Sequence, residues 1–135
     1  MIQSIQSVAK HFNVTYDALR FYEKRGLLPE IKRDQNGRRE YSDTDLDQLD
    51  KILHLRQLGA SVAETKTALD LFNASDKTIE TYDLGLKFLA NLETRLNQKI
   101  ATLEQQKEFL AHKNKRFKTE RAALMSKRVT EKSGQ

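Results

Sequence analysis

The sequence predicts a mainly α-helical chain: a head of four short helices carrying a small β-hairpin, then one long helix that pairs with a copy of itself. Three observations predict it. Apolar residues recur at helical spacing in short stretches between residues 5 and 72, each opened by a capping residue. Asn36-Gly37, the strongest two-residue hairpin signal, lies among arginines. Leu89, Leu96, Leu103, Leu110, Phe117 and Leu124 recur at seven-residue intervals.

Ile5, Val8, Ala9 and Phe12 fall on one helical face, with Ser4 as the cap ahead of them. Asn13, tolerant of left-handed backbone angles, interrupts. A second helix opens at Thr15, packs with Tyr16, Leu19 and Tyr22, and stops at Gly26 with Pro29 beyond. Two short helices joined by about three residues make a helix-turn-helix candidate. Residues 31–35 and 38–41 flank Asn36-Gly37 and form a basic two-stranded ribbon that must lean on the helices. Ser42 starts a third helix with Asp43 and Asp45 in its first turn, where negative charge suits the helix dipole, and Gly59 ends it. Leu46, Leu49, Ile52, Leu53 and Leu58 form its buried face. Ser61-Val62-Ala63-Glu64 is a capping box for a fourth helix, which buries Val62, Leu69 and Phe72.

These readings divide the chain into a head at 1–72, a linker at 73–76, a dimerisation helix at 77–120 and a flexible basic tail at 121–135. The dimer seam is Leu89, Leu92, Leu96, Ile100, Leu103 and Leu110; beyond Leu103 its alternate positions turn polar at Gln106, Lys113 and Glu120. A helix of roughly forty residues reaches about 60 Å and cannot bury such a stripe in a head of this size. It needs a partner helix, most economically its own copy, or else folds back on its own head.

Composition narrows the chemistry. Of 135 residues, 38% are hydrophobic and 32% charged, with net charge +5. The charge is uneven: net +3 over residues 1–41, −3 over 42–71, −1 over 72–111 and +6 over 112–135. Basic ends flanking an acidic middle suit nucleic acid, although the last run reads equally as a solvated tail. The acidic residues of the third and fourth helices face away from phosphate. No cysteine is present, which excludes thiolate metal sites, disulfides and a cysteine nucleophile. His11, His54 and His112 have no ligand spacing, and no phosphate-binding or nucleophile motif occurs. The expectation is a soluble, cytoplasmic protein with no enzymatic activity, no cofactor, no metal and no membrane partner.

The order of motifs resembles the MerR family of bacterial transcription regulators. The likeness rests on Ser7-Val8-Ala9-Lys10, Asn13-Val14-Thr15, and Leu19-Arg20-Phe21-Tyr22-Glu23-Lys24-Arg25-Gly26-Leu27-Leu28-Pro29. It continues through Arg33, Gly37, Arg39, Tyr41-Ser42, Asp45-Leu46 and Leu55-Arg56-Gln57-Leu58-Gly59-Ala60-Ser61, covering residues 4–72. The resemblance implies a winged helix-turn-helix head and a homodimer joined by an antiparallel coiled coil. Such dimers bind double-stranded promoter DNA at a pseudo-palindrome and reshape it, which engages RNA polymerase indirectly.

By position, the resemblance assigns DNA contacts to Thr15, Tyr16, Arg20, Tyr22 and Lys24 on the second helix, and to Arg33, Arg38, Arg39 and Tyr41 on the wing. Arg20 suits bidentate pairing with guanine, or else pairs internally with Asp17 or Glu23. Tyr41 either grips the DNA backbone or faces the core. The family also leaves room for a non-metal small-molecule effector near Phe72, Tyr82, Leu86 and Phe88, aromatics and aliphatics that equally suit a core. Three positions depart from the family pattern: Arg38 replaces a usual Tyr, Asn13 a common Gly, and Ala60 a usual large apolar residue. Two other classes compete, an architectural or excision-type DNA-bending protein and a coiled-coil adaptor whose head no longer binds DNA.

Overall fold

The computed structural model describes residues 2–133. In chain order the elements are β1 (Gln3–Ser4), α1 (Ile5–Phe12), α2 (Tyr16–Lys24), β2 (Lys32–Arg33), β3 (Arg39–Tyr41), α3 (Asp43–Gln57), α4 (Val62–Phe72) and α5 (Ile79–Ser133). The chain divides into two compact units, one ending at Glu93 and one beginning at Thr94.

Local chemistry sets the helix boundaries. Side-chain oxygens of Ser4, Thr15, Ser42 and Ser61 accept the backbone N–H three residues on, which satisfies donors that have no partner inside the helix. The last two are full capping boxes: Asp45 and Glu64 accept the Ser42 and Ser61 amides in return. The C-termini of α1, α2 and α3 share one solution. Asn13, Gly26 and Gly59 take positive φ (55°, 78° and 102°), and the following amide reaches back to the Ala9, Tyr22 and Leu55 carbonyls. Gly37, at φ 77°, turns the hairpin. Asp34 secures that turn by accepting the Asn36 and Arg38 amides at 2.8 and 2.9 Å.

The wing is a three-stranded antiparallel sheet rather than a two-stranded ribbon, in the order β1-β3-β2. Gln3 pairs with Tyr41, and Arg33 pairs with Arg39. A two-residue strand ahead of α1 carries no local signal, because only the partner strand makes it one. Its effect is to turn β3 into the central strand and so remove one free edge of a marginal hairpin.

The core of the first unit draws on every helix of the head and on the central strand β3. Val8, Leu19, Tyr41, Leu49, Ile52 and Ala68 are fully buried. Leu27, Leu28 and Ile31 close it where the chain leaves α2, and Ala60 is buried as well. Gln48 adds a polar tie between elements, donating to the Leu27 carbonyl at 3.2 Å and accepting from Asn73 at 3.1 Å.

Two expectations about the long helix are corrected. Leu92, assigned to the dimer seam, is 3% exposed and lies in this same core, with Phe88 packed against it. A heptad pattern cannot tell which apolar surface will cover a leucine, and here the chain's own head does. The helix also runs on through the segment assigned to a flexible tail, to Ser133; positions 134 and 135 of that tail lie outside the described residues. Between 121 and 132 there is neither Pro nor Gly to stop it. It begins at Ile79, where Thr78 Oγ1 accepts the Thr81 amide at 3.2 Å.

The second unit, described by itself, is helical, and Leu96, Ile100, Leu103, Leu110, Phe117 and Leu124 all lie exposed along it. Leu92 and Leu96 are therefore expected to separate. Leu92→Ala lowers the unfolding free energy of the head by about 2–5 kcal/mol in urea titrations and leaves the sedimenting mass unchanged. A loss of mass without loss of stability would return Leu92 to the seam.

Candidate nucleic-acid interface

α2 is split lengthwise by its own periodicity. Leu19 is fully buried and Tyr22 and Glu23 are partly buried, so this face holds the helix to the core. Tyr16, Arg20, Phe21, Lys24 and Arg25 form the exposed face. At its start Thr15 Oγ1 accepts the Ala18 amide at 3.0 Å, which uses its acceptor side and leaves the O–H free to donate.

The guanidinium of Arg20 lies 5.8 Å from the Tyr16 ring centre, and its Nη1 donates to Asp17 Oδ1 at 3.0 Å. The internal pairing foreseen as an alternative for Arg20 is thus present. It does not disqualify the residue, since the two side chains are 49% and 93% exposed and an exposed pair is worth about 0–1 kcal/mol. Such a pair yields readily to a better acceptor. Arg25 stacks in the same way over Phe21, at 5.7 Å. Phe21 and Arg25 were not singled out from the sequence. The signal was there in the i, i+4 spacing of an aromatic and an arginine, repeated from Tyr16 and Arg20.

The wing supplies cations of two kinds. Lys32, Arg33 and Arg38 are exposed. Arg33 Nη1 donates to the Gly37 carbonyl at 2.8 Å, which folds its charge over the hairpin turn. Arg39 is different: its Nε meets Glu23 Oε1 at 3.2 Å with both side chains less than one-fifth exposed. This partly buried ion pair bolts β3 to α2. Arg39 is therefore better described as holding the wing in place than as a free phosphate ligand. Glu23 was missed as a site residue because its partner lies sixteen positions away.

Tyr41 is a correction. Assigned to DNA contact, it is fully buried, and its hydroxyl has no hydrogen-bond partner among the described residues. Burial raises its pKa above the usual 10.0; Arg39 opposes this, and Glu23 and Asp45 add to it. The side chain is core, as the second reading of it allowed.

The residues named for an effector are brought together in part. A cavity of about 200 Å³ is lined by Phe72, Lys77, Tyr82, Leu86 and Leu89, among others. Phe88 does not line it but packs on the core. Leu89, named for the seam, does line it. Among the described residues no group of three or more His, Asp or Glu could hold a metal ion, and no helix is long and apolar enough to cross a membrane.

α2 thus presents an exposed arginine-aromatic face on the same head as a three-stranded wing. Residues 3–71 match the family described as "MerR HTH family regulatory protein". The chain belongs to the MerR family. Its relatives are transcription regulators. The HTH-type transcriptional regulator AdhR of Bacillus subtilis (strain 168) is 36% identical over 77 residues, 57% of this chain and 55% of AdhR, so the match spans little more than half of that relative. A ZntR homolog of Haemophilus influenzae is 34% identical over 95 residues, 70% of each chain. The crystal structure of HiNmlR, a MerR family regulator lacking the sensor domain, bound to promoter DNA, superposes with TM-score 0.65 at 30% identity, covering 78% of this chain and 77% of that one. This MerR chain is thus a transcription regulator of the helix-turn-helix type.

Tyr41 yields a pH prediction. A folded-state pKa raised above 10.0 gives stability that is complete below pH 10 and lost as pH climbs through the folded value. Tyr41→Phe keeps the ring and removes the unpartnered hydroxyl, so it should be neutral or stabilising at pH 7. Its advantage over the parent should widen above pH 10 in urea titrations. A loss of stability at pH 7 would mean that the hydroxyl is satisfied after all.

Proposed function

We propose that two copies of this chain, paired through the α5 stripe, bind one inverted-repeat promoter site with the exposed face of α2 in the major groove. What carries the reading is the pairing of a buried Leu19 with an exposed Tyr16–Arg20–Phe21–Lys24 face, on a chain whose relative HiNmlR was solved on promoter DNA. Arg20, already over the Tyr16 ring, can exchange its exposed Asp17 contact for the O6 and N7 acceptors of guanine. Thr15, Tyr16, Tyr22 and Lys24 then position the helix, while Lys32, Arg33 and Arg38 take backbone phosphate from the wing; these contacts set register and carry little sequence information.

Half-sites about one duplex turn apart require two heads at a matching separation. Antiparallel α5 helices supply it, since the exposed leucines of the second unit have no cover among the described residues. Regulation then follows from shape: contacts that differ between two dimer states offset the several kcal/mol needed to deform the promoter, and polymerase responds to the DNA. An effector, where one acts, is a non-metal small molecule: the sequence offers no thiolate, and among the described residues no group of three or more His, Asp or Glu could hold a metal ion. A regulator acting on promoters would work in the cytoplasm, and no catalytic role is proposed.

The test compares two arginines on DNA fragments selected from the source genome. Arg20→Ala should cost about 1–3 kcal/mol on the selected site and relax its sequence preference. Arg38→Ala should weaken all sequences about equally and lower the salt slope by about 1. An architectural protein would select no consensus at all, and an adaptor would bind none of the fragments at low salt.

A further inference from the structure

α5 contains one glycine in 55 residues, and that glycine lines a cavity. Gly inside a helix costs stability relative to Ala, because the unfolded chain has more freedom to lose. Nothing in the backbone requires it at this position: the φ of Gly85 is not positive, and a Cβ built there meets nothing within 4 Å. The missing side chain therefore leaves room rather than relieving a clash. That room is part of the cavity of about 200 Å³ between the end of α4 and the start of α5, and its lining residues all belong to the first unit.

The walls decide what suits the space. Leu71, Phe72, Tyr82, Leu86 and Leu89 make it apolar, and Tyr82, Leu86 and Leu89 are 58%, 64% and 45% exposed, so water reaches a surface that gains by being covered. A cavity of about 150 Å³ with such a lining holds one benzene ring, so about 200 Å³ takes one ring and a short substituent. Two aromatic walls, Phe72 and Tyr82, favour a flat ring through offset or edge contacts.

The polar end is equally defined. Thr81 is already engaged, since its hydroxyl oxygen accepts the Thr78 amide at 3.2 Å and shares a hydrogen bond with the Thr78 hydroxyl at 3.1 Å. Lys77 remains. Its ammonium lies 6.0 Å from the centre of the Tyr82 ring and makes no ion pair among the described residues. No carboxylate is among the described lining residues. A lone ammonium on a flexible stem beside an apolar floor repels cations and offers an anionic group its partner.

We propose that this cavity binds a small aromatic carboxylate of about benzoate size, with its ring against Phe72, Tyr82 and Leu86 and its carboxylate on Lys77 Nζ. The inference gives the effector of the proposed function a place and a chemical class, and rests on that reading for its regulatory consequence alone. The consequence follows from the lining. The ligand touches the last turn of α4, in the head, and the first turns of α5, which carries the leucine stripe, so occupancy biases the joint at 73–78 that connects them.

Binding is read on the full chain without DNA, so failure of DNA recognition and failure of this site are separate results. Fluorine NMR titrations use 4-fluorobenzoate and the neutral 4-fluorobenzyl alcohol. The parent chain should bind 4-fluorobenzoate saturably, with a Kd of roughly 0.1–10 mM for a ligand of about ten heavy atoms. Gly85→Leu fills the recess and should abolish binding of both probes while keeping or raising the unfolding temperature, since Leu is the better helix former. Should that variant unfold earlier than the parent, Tyr82→Ala takes its place; it removes one exposed wall and should weaken both probes. Lys77→Gln should weaken 4-fluorobenzoate about three- to tenfold and leave the alcohol unchanged, and Lys77→Arg should restore most of the loss. No saturable binding by the parent, or binding that survives these wall substitutions, overturns the site. Equal loss of both probes in Lys77→Gln, or loss of neither, overturns the carboxylate as the ligand class. A saturating selected duplex should shift the 4-fluorobenzoate Kd about fivefold or more; an unmoved Kd overturns the regulatory consequence while the site stands.

Discussion

Leu19 and Tyr41, both fully buried in one core, decide what the head can present outward. Leu19 fixes the rotation of α2 about its own axis, because a nine-residue helix with one face in the core has only one face left. That remaining face carries Tyr16, Arg20, Phe21 and Lys24. Tyr41 does the same for the wing: as the last residue of the central strand, it anchors the sheet and leaves Arg33 and Arg38 at the surface. The Arg39–Glu23 pair then joins the two anchored pieces. That single core therefore sets the angle between α2 and the wing.

Features decided by a few neighbouring residues were legible from sequence. Ser4, Thr15, Ser42 and Ser61 cap because the acceptor and its donor lie within one turn. Asn13, Gly26 and Gly59 end helices because only such residues accept positive φ cheaply. What required the tertiary fold was not legible. The strand at Gln3–Ser4 exists only through Tyr41 and Glu40. Tyr41 sits in a motif shared with exposed wing residues, and nothing local marks it as the inward one. Leu92 fits the heptad as well as Leu96 does, yet an apolar cluster within the first unit takes it. The basic run after residue 120 suggested a frayed tail on charge alone, whereas uninterrupted helix-formers carry α5 on to Ser133.

Arginine is used in three distinct ways within some twenty residues. Arg39 is desolvated and paired, and serves position. Arg33 is bent back onto the hairpin turn. Arg20 and Arg25 are exposed, with their guanidinium groups 5.8 and 5.7 Å from the centres of the Tyr16 and Phe21 rings, contacts that favour a subset of their rotamers before any binding. Counting basic residues would have merged these roles, whereas burial and partners separate them.

The second unit poses the complementary problem: a helix with an exposed leucine stripe is stable in water only when that stripe is covered. The account answers with a second copy, and that copy is what turns one reading helix into two at a fixed spacing. Native mass spectrometry of the full chain with a selected inverted-repeat duplex tests this most directly. The account predicts one complex containing two chains and one duplex, with no one-chain complex accumulating at lower protein. A stable complex of a single chain on the duplex, or chains that fly alone at concentrations where DNA is bound, would contradict it.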